Sequence, residues 1–336
     1  MNARRASINI QYQNTDITAE IANDLLSFEF NDNASGSADD IKITLKDDSG
    51  RWMGSWVPKK GNIIKASIKT ENWRYEGDSQ LMNCGVFAVD RAEFSGRSRV
   101  VNIGAISAPA NSNFMTVERS KTWQLANIKK IAESIANSNN LGLFYDTDYN
   151  PTIEFIEQTE TSDASFLHEL CTKNGLALKI YNNKIVIYRE QEYESKKEIA
   201  TISETDMISW QASFSENDTG YDACTVEYTN SKTKKTITYT FRAPGRNGNK
   251  IYKENLEISN YAEAERLAKA KLRELNKQET VMNIVLPGNV ELLATNTVVI
   301  VGMGFFDGKY FIDKAIHSIG SGYQTSLELH KVLEGY

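Results

Sequence analysis

The stretch of this 336-residue chain that comes nearest to a binding motif is Asp146-Thr-Asp148-Tyr-Asn150-Pro-Thr-Ile-Glu154-Phe-Ile-Glu157. Its oxygen-bearing side chains fall at positions one, three, five, nine and twelve of a calcium loop. Position six of such a loop needs a glycine at positive φ, and here it is Pro151, whose ring holds φ near −65°. The stretch therefore reads as a polar turn leading into a strand. His168 and Cys171 share a helix face, but two ligands do not make a tetrahedral zinc site. The acidic pairs Asp39-Asp40 and Asp47-Asp48 have the residue type of a two-carboxylate hydrolase, which requires one acid protonated and one ionised at a matched separation. They sit in or beside loops, where carboxylates are usually just solvated. Trp52, Trp56 and Trp73 offer flat apolar surface for a sugar or a protein, but core and loop packing is the favoured reading, because large aromatics are mostly buried. Gly302-Met-Gly304 precedes Phe-Phe-Asp rather than a helix, so it is no dinucleotide fingerprint, and no nucleophile-elbow, zincin or phosphate-loop sequence occurs. No catalytic, metal or cofactor residue is expected.

The elements around these residues are mostly strands. Leu26–Phe30 and Ile41–Leu45 alternate apolar and polar side chains, and Asn62–Thr70, Trp73–Ser79, Leu81–Ser95 and Arg99–Ser107 follow in the first third. Such short, regular strands predict a barrel or sandwich. Residues 120–190 change character. Trp123, Leu125, Ile128, Ile131, Ala132 and Ile135 predict a helix with Thr122 as N-cap, and a second helix is expected over Ser162–Asn174 with Gly175 just past its end. Asn182-Asn183 predicts a two-residue hairpin turn. The charged stretch Arg189–Glu198 reads as a solvated linker. Strands resume at Ile208–Phe214, Tyr221–Thr229 and Lys235–Phe241. A long helix is predicted over Tyr261–Gln278, with Ala264, Leu267, Ala268, Lys271 and Leu275 on its apolar stripe.

One unit recurs. Gly85-Val-Phe-Ala-Val-Asp-Arg-Ala-Glu-Phe-Ser95 and Gly308-Lys-Tyr-Phe-Ile-Asp-Lys-Ala-Ile-His-Ser318 lie 223 positions apart, and each precedes a glycine-containing turn and another strand. A segment repeated once over that distance predicts a duplicated β domain. The paired Asp90-Arg91 and Asp313-Lys314 read as strand-surface charges. A formal net charge of −6 gives no footprint for specific nucleic-acid binding. Cys84, Cys171 and Cys224 are too scattered for a disulfide framework and predict buried thiols in a reducing compartment. No signal-type segment and no apolar run of about 18 residues occurs, so a soluble, cytoplasmically made protein without membrane insertion is expected.

Leu26-Ser-Phe-Glu-Phe-Asn-Asp32, Ser37-Ala-Asp-Asp-Ile-Lys-Ile-Thr-Leu45, Asp48-Ser-Gly-Arg-Trp52 and Pro58-Lys-Lys-Gly61 resemble the late control gene D proteins, the baseplate hubs of contractile phage tails. Ser162–Leu170 with the hairpin Leu176–Tyr188, and Gly320–Leu329, fit the same pattern. The resemblance implies a mainly β fold with an α+β insertion: tube-like antiparallel β-barrel domains over residues 1–112 and 201–336, and a small α+β module over 113–200. It further implies a homotrimer that adapts a hexameric tail tube, or its initiator protein, to a trimeric central spike, among other baseplate proteins. The particle would be a phage tail or a tail-like bacteriocin, assembled in the bacterial cytoplasm. Two other readings remain beside it, a tail-tip peptidoglycan hydrolase and a carbohydrate-binding adhesin.

Overall fold

The computed structural model describes residues 3–107, 113–217, 219–229 and 234–336. The first expected domain boundary, at 112, falls outside these. Alternation of apolar and polar residues builds the main feature, a thirteen-stranded sheet. Ile41, Ile43 and Leu45, like Val101, Ile103 and Ala105, bury every second side chain of their strands.

The sheet divides into two sets of six strands. In spatial order the first runs Leu25–Asn33, Asp40–Lys46, Val100–Ile106, Ser79–Ser95, Ile63–Glu71, Arg5–Tyr12, with the two-residue strand Thr15–Asp16 at its margin. The second runs Ser209–Phe214, Thr280–Pro287, Tyr323–Lys331, Gly308–Ile319, Thr297–Val301, Ala200–Ser203. Numbered along the chain, both sets have the same spatial order. They differ at the last position, where Arg5–Tyr12 pairs antiparallel with its neighbour and Ala200–Ser203 pairs parallel. Each set packs its inward side chains into a core of its own.

Two smaller layers attach to this sheet. In the first, the strands Glu118–Asn127 and Thr152–Ser162 pair with each other, and a three-stranded sheet (Ala177–Tyr181, Lys184–Tyr188, Gly142–Asp146) packs against the helices Ile128–Ser138 and Asp163–Lys173. The first helix starts later than predicted. Trp123 and Leu125 stand two apart, which is strand spacing, and helical spacing begins only at Ile128; Asn127, not Thr122, caps it by accepting from the Lys130 amide at 2.9 Å. The second helix, Asp163–Lys173, lies within its expected span and is capped by Ser162, Gly175 takes φ +70°, and Asn182 and Asn183 turn their hairpin at φ +46° and +62°.

The second layer was not legible as such. Among the described residues, Ala223–Thr229, Thr236–Arg242 and Ile251–Asn255 pair only among themselves and carry the helix Tyr261–Asn276; the whole layer is inserted between two strands of the second set. Period-two alternation marks any half-buried strand and cannot say which sheet it joins. The helix buries Ala264, Ala268 and Leu272, with Arg273 and Asn276 beside them, so the stripe lies one residue beyond the expected Lys271 and Leu275. Among the described residues no helix is long and apolar enough to cross a membrane.

Candidate functional site

The side chains singled out for chemistry do not converge. The Asp146 carboxylate accepts from the Tyr193 hydroxyl, Asn150 Oδ1 from the Lys129 amide at 3.1 Å, Glu154 Oε1 from Asn260 Nδ2 at 3.1 Å and Glu157 Oε1 from the Thr122 hydroxyl at 3.4 Å. Four separate partners leave a polar turn there. Cys171 is buried in the first α+β layer, where desolvation raises its thiol pKa. Trp52 is buried, and the Arg51 guanidinium covers the Trp56 ring at 4.5 Å. Trp73 Nε1 donates to the Gly288 carbonyl at 2.5 Å and so ties the first strand set to the second. That contact depends on glycine, since a Cβ at position 288 would lie 2.1 Å from the Tyr323 ring. With these rings so engaged, the tryptophans lose their standing as a sugar platform.

Asp39, half of an acidic pair considered for hydrolysis, belongs to a buried clamp. Lys179 Nζ, on the first α+β layer, lies 3.1 Å from Asp39 and also pairs with Asp32. Asp39 Oδ1 accepts from the Asn33 amide at 2.9 Å, and Asp32 Oδ2 accepts from the Ala294 amide at 2.8 Å. Burial pushes the Asp39 carboxyl up to about 7, with Lys179 pulling it back and Asp32 adding to the rise. Both carboxylates converge on one ammonium and on backbone amides of both strand sets, an arrangement that fixes three parts of the molecule together.

A second buried network occupies what the sequence reads as a linker. Glu190 and Glu194 lie on a short helix, Glu190–Glu194, and both are buried. Arg273 Nη2 lies 3.1 Å from Glu190 and 2.6 Å from Glu194, and Lys277 Nζ lies 2.8 Å from Glu190. His330 completes the network, with Nε2 2.8 Å from Glu194 and Nδ1 2.6 Å from Asp313. Glu190 is fully desolvated, which opposes ionisation, yet Lys277, His330 and Arg273 together lower its pKa to about 2. Burial likewise opposes the His330 charge, but Asp313 and the hydrogen bonds to Asp313 and Glu194 outweigh it, so the ring titrates above its ordinary value. Glu190, Glu194 and His330 have the types and proximity of a metal site. Their ligand atoms are already held by Arg273, Lys277 and Asp313, two of them cations a metal would have to displace. The readable signal was paired spacing: Glu190/Glu194 and Arg273/Lys277 are each four apart, one helical turn.

The repeated segments occupy equivalent places. Gly85 and Gly308 both take positive φ, +125° and +139°. Asp90 and Asp313 are each the extra residue of a β-bulge, between Val89 and Arg91 in one hairpin and Ile312 and Lys314 in the other. Val89 opposes Ala105 as Ile312 opposes Leu329, and Ala92 opposes Ile103 as Ala315 opposes Leu327. Following this register outward aligns a second repeat that sequence reading missed: Asp24-Leu-Leu-Ser-Phe28 with Asp206-Met-Ile-Ser-Trp210. The two sets are fused through one joint, where Gly308–Ile319 pairs antiparallel with Leu25–Asn33 from Lys314↔Asn33 to Ile319↔Phe28. Phe30 and His317 stack across it with ring centroids 6.0 Å apart.

No family model matches the chain. Two curated relatives, each described as a probable baseplate hub protein, come from Escherichia phages 186 and P2. They are 27% identical over 175 residues and 29% over 179, 52% of this chain in each case but only 42% and 43% of the relatives, so the match spans less than half of their length. Among solved structures, a prophage MuSo2 43 kDa tail protein from Shewanella oneidensis superposes with a TM-score of 0.74 at 12% identity, covering 97% of this chain and 98% of that one. A tail protein from Neisseria meningitidis gives 0.73 at 11%, covering 97% and 96%. An Escherichia coli type VI secretion component, described as similar to the phage T4 tail proteins gp27 and gp5, gives 0.60 at 11%, covering 99% and 78%. The chain is thus similar in sequence, over half its length, to two probable phage baseplate hub proteins, and over nearly all of its length it has the fold of phage tail proteins.

Proposed function

We propose that the chain is a non-enzymatic hub at the baseplate of a contractile phage tail or tail-like particle. Three copies form a ring that matches a sixfold tail tube on one face and a threefold central spike on the other, and on which the tube starts to assemble. Its domains are two tube-like β units, over residues 1–112 and 201–336, with the α+β module 113–200 outside the ring toward spike or neighbouring baseplate proteins. The observation that carries this reading is the doubled six-strand unit, identical in chain order and spatial order and fused side by side in one sheet. A trimer of such chains presents six similar units, which a single-unit chain could do only as a hexamer. The buried clamps on Lys179 and Arg273 suit this role, since they hold two β units and two attached layers in fixed relation.

The test is a mass measurement in solution with negative-stain imaging of the full chain. A threefold particle with sixfold-looking density at one end is expected; a stable dimer or a persistent monomer counts against the ring. Zymography on cell-wall substrate is expected to show no clearing, and clearing by the purified chain would overturn the non-enzymatic assignment.

A further inference from the structure

The joint inside the chain has two halves, and each strand set has a counterpart of the half it does not use. In the second set, Gly308–Ile319 pairs with Thr297–Val301 through residues 308–311, and its following residues 314–319 take up Leu25–Asn33 of the first set. In the first set, Ser79–Ser95 pairs with Ile63–Glu71 through residues 79–88, and among the described residues nothing pairs with the same side of Arg91–Ser95. The counterpart of Leu25–Asn33 is Ser209–Phe214, an edge strand that among the described residues pairs only with Thr280–Pro287. The chain thus leaves open one copy of each half of a joint it has already made once.

Both open edges carry unburied apolar side chains. Trp210 and Phe214 are 43% and 44% exposed, and Phe94 is 39% exposed. Trp210-Gln-Ala212-Ser-Phe214 has the alternation of a half-buried strand, yet on its apolar face only Ala212 packs on the core, while Phe214 lies against the Phe305 ring and both large rings stay exposed. Unpaired, apolar and flat, such edges invite another strand. Their counterparts at the closed joint, Phe28, Asp32 and His317, are buried.

We propose that the occupant of each open edge is a second copy of this chain, joined head to tail. Arg91–Ser95 of one copy pairs antiparallel with Ser209–Phe214 of the next. Carrying the closed joint's register across the two repeats sets Ala92 opposite Phe214, Glu93 opposite Ser213, Phe94 opposite Ala212 and Ser95 opposite Gln211. These are the counterparts of Ala315↔Asp32, Ile316↔Asn31, His317↔Phe30 and Ser318↔Glu29. A head-to-tail joint leaves no edge of this kind free once the ring closes. The joint rests on the hub reading only for the number of copies in that ring.

Directly opposed residues in an antiparallel pair have Cα atoms about 4.5–5.5 Å apart, within the range of about 4.4–6.8 Å that a disulfide spans. Glu93 and Ser213 are exposed in the single chain, and the native Cys84, Cys171 and Cys224 are buried, so the full-length Glu93→Cys/Ser213→Cys variant folds as the parent does and reports only on the joint. Mild oxidation is expected to give a disulfide-linked ladder ending at the trimer. A Glu93→Cys/Ser209→Cys variant, displaced four residues along the same face and so about 13 Å, is expected to stay unlinked. Phe94→Asp, which places a charge in the covered face, is expected to weaken self-association at least about tenfold while keeping the parent's circular-dichroism spectrum. A trimer in solution that does not link through 93 and 213, or that links equally through 93 and 209, overturns this joint and leaves the hub reading standing. Linking through 93 and 213 into a closed species of another size keeps the joint and removes the threefold ring. A chain that stays monomeric at every concentration overturns the joint.

Discussion

The two six-strand sets share their strand order, their bulges and their positive-φ glycines, yet their bulge aspartates have different surroundings. Asp90 is exposed and, among the described residues, forms no ion pair. Asp313, its counterpart, holds His330 and lies 3.6 Å from Lys277. The first set receives the Lys179 clamp through Asp32 and Asp39, and the second receives the Arg273 network. What the copies keep in common is the hairpin geometry, its bulge and its positive-φ glycine. What separates them is the polar contacts that fasten each to its own attached layer. This contrast argues that the scaffold is held by the requirement for equivalent edges, whereas buried charge follows the local attachment.

The largest effect is expected where that attachment is buried most deeply. Arg273→Met removes the cation shared by Glu190 and Glu194 and leaves two carboxylates buried beside Lys277 and His330 alone. Breaking a buried ion pair from one side costs about 3–5 kcal/mol. Urea unfolding of the full chain, followed by a probe of the Tyr261–Asn276 layer, should show that loss. An unchanged midpoint would mean that the network is incidental and that the contrast between the two sets is superficial.

The same network sets a pH dependence with two arms. Glu190 is lowered from 4.5 to about 2, so its contribution is present above 4.5 and is lost as pH falls toward 2. His330 is raised from 6.5, so its contribution is complete below 6.5 and is lost as pH rises through the higher folded value. Asp39, raised from 3.8 to about 7, also loses stability with rising pH, but between those two values. Melting temperature should therefore fall below pH 4.5 as Glu190 takes up its proton and above pH 6.5 as His330 loses its own. In Asp313→Asn the fall on the alkaline side should flatten, because the carboxylate that raises His330 is gone while Asp39 is untouched. A fall of the same steepness in the variant would assign the alkaline arm to other groups.

The β class, the duplication and the hairpin turn at Asn182-Asn183 were legible because they depend on local rules: period-two alternation, positive φ and a repeated spacing. The second helix was legible for the same reason, since Ser162 and Gly175 mark its ends. Three features were not. The sheet membership of Ala223–Thr229 and Thr236–Arg242 depends on long-range pairing, which alternation does not encode. The repeat at Asp24–Phe28 and Asp206–Trp210 is too divergent to see until the register aligns it. Glu190 and Glu194 look solvated in sequence because burial of a carboxylate is decided by its partners, here 79 or more residues away.

The smallest effect is also the sharpest test of the comparison. Asp90→Asn and Asp313→Asn make the same change at the same bulge position in the two sets. If the carboxylate served the bulge itself, for example by shaping its backbone, both would cost alike. The contacts argue otherwise. Asp90 is exposed, and an exposed substitution away from a network stays within about 0.5 kcal/mol. Asp313 loses its charged hydrogen bond to a fully buried ring, a change of about 1.5–3 kcal/mol when both partners are buried. Since 32% of the Asp313 side chain is exposed and asparagine can still accept from His330, about 1–2 kcal/mol is the expected loss. Chemical unfolding of the two variants side by side checks the difference. Equal losses would place the aspartate in the shared scaffold and not in the attachment, and the division drawn between them would have to move by that one residue.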